Sequence, residues 1–228
     1  MALITFGAAV SNISGSVGGT TFARNRGGAY MRSRTVPLNP KSPSQFDVRL
    51  QFGALAQAWS ADLDEAQRSS WDSYAIGTPI VNKLGQERLL SGINWFVGNN
   101  ALNQAVGAPR IDTASSSNGV GSAFGLTVEP NAATNTFDIT GFGGIQTLPA
   151  SGRGLLVQIS RPQSGGVNFF AGPFRQAFGQ VLTDVTTPIL GIPLPFAAQP
   201  GQVLFFRHTW VDIGGRGGLA SVQRKFLA

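Results

Sequence analysis

Four arginines and two aromatic rings fall within TTFARNRGGAYMRSR, residues 20–34: Phe22, Arg24, Arg26, Tyr30, Arg32 and Arg34. Guanidinium groups at this density grip anions. The anions are either carboxylates on a protein surface, matched by the planar fork, or nucleic-acid phosphates, with the rings left to stack on bases. The charge is uneven along the chain: residues 24–49 hold six basic side chains against Asp47, a balance of +5, so the remainder contributes only +1 of the total +6. Contact with a neighbouring polypeptide is the favoured reading of these six residues. Phosphate binding and a solvated edge strand kept soluble by its charge are the alternatives.

Other chemistries find little support. The single histidine, His208, sits in VLFFRHTWVD, where alternation places it with Phe206 and Trp210 on one face of a strand, the setting of a structural histidine. No serine lies in a nucleophile elbow, so a triad is not expected. With no cysteine and one histidine, a zinc site would need carboxylates, and the eleven acids show no calcium-loop spacing. Asp62, Asp64 and Glu65 cluster, but acids favour the first turn of a helix for electrostatic reasons. GSVGG at 15–19 lacks the lysine and hydroxyl of a phosphate loop and leads into no helix. The reading is therefore not an enzyme, with no catalytic residue, no cofactor and no metal ligand assigned.

The elements that must position the arginines read as follows. Residues 1–36 are glycine-, serine- and threonine-rich with no helical period, an extended arm in which TTFAR and AYMRSR flank Asn25-Arg26-Gly27-Gly28 as a β-hairpin. Strict alternation would set Phe22, Arg24 and Arg26 on one side of the first strand and Tyr30, Arg32 and Arg34 on one side of the second, with all four guanidinium groups projecting together. Residues 37–110 form a helical module. Ser42, Pro43 and Gln45 predict a helix over 43–59 with an apolar stripe of Val48, Phe52, Leu55 and Trp59. Asp64 and Gln67 open a second helix to Ala75, which a short connection pairs with the first, and Ser91 opens a third to about Ala105. Residues 111–122 read as a linker. Short β-type runs near 123–129, 136–141, 154–161, 174–182, 203–212 and 219–226 predict a β-sandwich of immunoglobulin or fibronectin type over 123–228. The expected class is α+β.

Only 12% of the residues are charged, against 42% apolar, which predicts an exterior covered by partner subunits in a homo-oligomer or larger assembly. No apolar run approaches the roughly twenty residues needed to span a bilayer, and MALITFGAAV has no positive residue ahead of its apolar run, so neither a membrane segment nor an export leader is expected. The order GSVGGTTF, ARNRGGAYMRSR, VPLNP, SQFDVRLQFGALAQAW, LDEAQRSSWDSYA and SGINWFVGNNALNQAVGAP, over about residues 10–110, resembles a group of uncharacterised tailed-bacteriophage virion structural proteins. The resemblance implies a non-enzymatic virion component, assembled in the host bacterial cytoplasm, whose partners are other virion proteins such as capsid or tail subunits. A capsid decoration or cement protein, or a head-to-tail or tail accessory part, docking through its N-terminal arm, is the expectation. Nucleic-acid binding by the basic hairpin and glycan or receptor binding by the sandwich, drawing on Trp210, are the alternatives.

Overall fold

The computed structural model describes residues 2–8, 10, 12–25, 28–36, 38–81, 85–115, 125–143, 152–183, 187–212 and 214–227. In chain order its elements are β1 (Ala2–Leu3), β2 (Gly15–Val17), β3 (Thr20–Asn25), β4 (Gly28–Ser33), α1 (Pro43–Ala61), α2 (Glu65–Gly77), β5 (Ile80–Val81), β6 (Glu87–Arg88), α3 (Gly92–Ala105), β7 (Gly125–Asn131), β8 (Thr136–Gly143), β9 (Arg153–Ile159), β10 (Arg175–Leu182), β11 (Ile189–Pro193), β12 (Val203–Val211) and β13 (Ser221–Phe226). The fold is mixed α+β, three helices with several antiparallel sheets among the described residues. Two compact units divide the chain, Met1–Phe46 and Asp47–Ala228.

Within the larger unit, local chemistry starts α2 where the sequence places it. Gln67 N–H donates to Asp64 Oδ1 at 2.7 Å and Asp64 N–H donates to Gln67 Oε1 at 2.9 Å, a complete capping box. Pro43 stands at the first position of α1, where its missing N–H costs nothing. Leu55, Ala58, Leu63, Trp71, Phe96 and Val97 bury together, with Trp59 tilted against the Phe96 ring at 5.5 Å and Trp71 edge-on to it at 5.7 Å. The closest helix pair is α2 with α3, whereas the short connection predicted α1 with α2. Trp71 of α2 sits against Phe96 of α3, a pairing that buries two large rings together.

Asparagines on α3 determine the path of the chain beyond it. Asn100 is fully buried, donates to the carbonyls of Phe96 and Ile111, and accepts from Ile111 N–H at 2.7 Å. Trp71 Nε1 donates to Asp112 O and Ala114 N–H to Ser70 Oγ. Residues 111–115, expected to open a linker, are thereby pinned to the helices, and residues 116–122 lie outside the described residues. Arg110 bridges Asp112 and Asp62 at 2.6 and 2.7 Å. Those contacts, Asp112 first and Asp62 second, raise its already high pKa.

Strands β7–β13 form two antiparallel sheets, ordered β10-β9-β12-β13 and β11-β8-β7, while β5 and β6 pair with each other. Their facing sides share one core: Leu126, Val128, Phe137 and Ile139 from one sheet meet Leu155, Val157, Ile159, Phe206 and Trp210 from the other. Each such side chain contributes roughly 1.5–3 kcal/mol by burial. The seventh strand, β11, was not among the predicted runs. Its Ile-Leu-Gly-Ile-Pro sequence breaks alternation, and its pairing with β8 shifts register between Ile189 and Ile192.

The end of α3 lies on the outer face of the four-stranded sheet, where Val106 and Ala108 bury against Leu156 and Val211. Glycine permits the approach. A methyl group at Gly154 would meet Val106 Cγ2 at 2.6 Å, and one at Gly179 would run into the Ala105 carbonyl.

Candidate docking surface

The sequence-predicted site lies in the unit Met1–Phe46, which folds as a four-stranded antiparallel sheet, β1-β4-β3-β2, where an extended arm with a single hairpin was expected. Gly18, with φ +57, begins the turn that joins β2 to β3, so GSVGG supplies a strand and a turn. The predicted hairpin is present: β3 pairs with β4 from Thr20↔Ser33 to Asn25↔Gly28.

Register corrects the expected common face. Directly opposed residues share a face in an antiparallel pair, and here Phe22 opposes Met31 and Arg24 opposes Ala29, while Tyr30 opposes Ala23 and Arg32 opposes Thr21. Phe22 and Arg24 therefore project to one side, with Met31 and Val17, and Tyr30 and Arg32 to the other, with Leu3. The cause is parity. Two residues separate Asn25 from Gly28, so paired positions sum to an odd number and even-numbered residues of β3 face odd-numbered residues of β4. Arg34 continues the pairing by donating its N–H to Gly19 O at 2.8 Å. Arg26 lies outside the described residues.

Each face thus carries one half-buried ring and at least one exposed arginine. None of the described residues of this unit is buried, and Leu3, Val17, Val36 and Leu38 are among its exposed large apolar side chains. Among the described residues Arg24, Arg32 and Arg34 have no carboxylate within ion-pair distance. A sheet of this size with no core is marginal by itself and gains stability by being covered.

The first turns of α1 in the larger unit extend this character. The predicted stripe buries its second half only: Leu55 is 2% exposed and Trp59 half-buried, whereas Val48 and Phe52, expected in the core, are 65% and 61% exposed. The helix outruns the partners that cover it. Sequence reasoning missed these two residues because periodicity reports which face is apolar and says nothing of how far the opposing surface reaches.

The residues considered for chemistry take structural places. His208 is fully buried on the core-facing side of β12, Asp64 caps α2, and Asp62 pairs with Arg110. Among the described residues no group of three or more acids or histidines could hold a metal ion, and no helix is long and apolar enough to cross a membrane. A cleft of about 470 Å³ between α3 and the β12–β13 connection is lined by Trp95, Asn99, Leu102 and Thr209, with Arg216 the one charged lining residue among those described.

Comparison with protein-family models, with curated proteins and with solved structures gave no match.

Proposed function

We propose that the chain is a non-enzymatic structural component of a tailed-phage virion, a capsid decoration or cement subunit or else a head-to-tail or tail accessory part, that docks through its N-terminal sheet. The observation that carries the docking is that no described residue of Met1–Phe46 is buried, although the sheet presents a ring and an arginine on each face. Two such faces suit a wedge between two protein surfaces, each able to bury a ring and offer carboxylates to the planar guanidinium fork. That geometry favours cement, which bridges neighbours, over a part that touches one partner. The virion setting rests on the resemblance of residues 10–110, and the partners are other virion subunits, copies of this chain included.

The two sheets of the larger unit are read as a fibronectin-type sandwich. With β7 to β13 lettered A, B, C, C′, E, F and G, the orders A-B-E and C′-C-F-G support that reading. Such a scaffold carries no function of its own. Trp210, on which glycan binding would draw, is 1% exposed. Nucleic-acid binding by the hairpin is weakened by the register, which divides the arginines between two faces.

Deleting residues 1–36 tests the docking. The remainder should unfold cooperatively and be missing from purified particles by mass spectrometry; incorporation at the full-length level overturns the reading.

A further inference from the structure

The cleft between α3 and the β12–β13 connection, about 470 Å³, falls within the range of roughly 300–1,000 Å³ usual for small-molecule sites. One face of the helix forms a wall of it, because Asn94, Trp95, Gly98, Asn99 and Leu102 recur at the spacing of successive turns. Thr209 of β12 and Gly217 of the connection complete the lining used here.

Three features of that helix face go unused within the chain. Asn99 is only 4% exposed, and among the described residues its side-chain amide, both donor and acceptor, makes no hydrogen bond. Its neighbours on α3 differ: Asn100 bonds to Phe96 and Ile111, and Asn103 donates to Pro109 O. Trp95 Nε1 is likewise buried without a hydrogen-bond partner, although its ring is half-exposed with Tyr74 edge-on at 5.5 Å. Gly98 sits in the middle of the helix, where glycine is the poorest former after proline, yet a side chain there would meet no atom within 4 Å. Gly154 and Gly179 each admit a neighbouring element of the chain; Gly98 admits none.

We propose that this cleft binds a saccharide, with hydroxyls on the Asn99 amide and the Trp95 N–H and a C–H face over the bare helix at Gly98. An apolar occupant would leave a buried amide and a buried indole N–H unbonded, a cost that opposes its binding. A sugar ring carries hydroxyls on adjacent carbons, each able to donate and to accept, beside C–H groups that pack on Trp95 and Leu102. Among the described residues the lining has no carboxylate for a cationic ligand and no run of basic side chains for a phosphate chain. The cleft lies within Asp47–Ala228, so the proposal stands independently of the docking reading.

A glycan microarray carrying neutral and acidic oligosaccharides, probed with the full labelled chain, tests it, followed by calorimetric titration of the strongest printed glycan. Gly98→Leu projects a side chain into open space and improves the helix, so it should keep the wild-type circular dichroism while abolishing binding. Asn99→Leu keeps the branched shape of the side chain and removes its donor and acceptor, and should weaken binding about ten-fold or more. Deletion of residues 1–36, which lie in the other unit, should leave the affinity unchanged. Silence across the array, or binding that survives Gly98→Leu or Asn99→Leu, overturns the proposal. So does a random-peptide selection whose winners are lost on Gly98→Leu while no glycan binds, since the cleft would then be a peptide site.

Discussion

The two units of this chain solve the problem of apolar surface in opposite ways. In Asp47–Ala228 the rings turn inward: Trp71, Phe96, Phe137, Phe206 and Trp210 are all essentially without solvent exposure, and Asn100, drawn in with them, both donates and accepts hydrogen bonds through its side chain. In Met1–Phe46 the sheet is formed and β3 pairs with β4 along its length, yet Phe22 and Tyr30 are only half covered and Leu3, Val17, Val36 and Leu38 face water. Hydrogen bonding alone contributes little net stability, because unfolded backbone bonds to water equally well. The difference teaches where a core has formed: the larger unit has one of its own, and among the described residues the smaller has none.

Mutations can break that contrast or sharpen it. Phe206→Ala opens the shared core of the two sheets and should cost about 3–5 kcal/mol in urea unfolding of the free chain. Gly179→Val drives a side chain into the Ala105 carbonyl and should cost about 1–3 kcal/mol, read from the thermal midpoint. Removing the capping box with Asp64→Ala should cost about 1 kcal/mol, visible as a lower urea midpoint at unchanged slope. Phe22→Ala should change the stability of the free chain by less than about 0.5 kcal/mol, as for an uncovered surface position, while lowering the amount of protein in purified particles. A loss of more than about 2 kcal/mol from Phe22→Ala in the free chain would mean that the small sheet is buried by its own molecule, and the contrast would fail.

Much of the fold was legible because its causes are local. The Asp64–Gln67 box is a four-residue pattern, the turn glycines between residues 25 and 28 mark the hairpin, and the helix spans follow from caps and a 3.6-residue period. The split of the arginines between two faces was also within reach, since the length of the connection sets the parity of the pairing. Alternation along each strand taken singly does not carry that information. β11 escaped because Leu190-Gly191 and its register shift break the two-residue period by which strands are recognised.

What the sequence determined by itself, then, was where the distinctive residues lie and which elements form: basic and aromatic residues gathered at 22–34, three helices and a run of strands. Tertiary structure alone decided which side chains meet. Leu126, Phe137, Leu155, Phe206 and Leu227 lie far apart along the chain and meet only because two sheets share one core. Val48 and Phe52 belong to the same stripe as Leu55 and differ from it only in whether another helix reaches them. Charge and hydrophobicity are properties of a residue, whereas burial and proximity belong to pairs of residues distant in the chain, and only the folded packing assigns them.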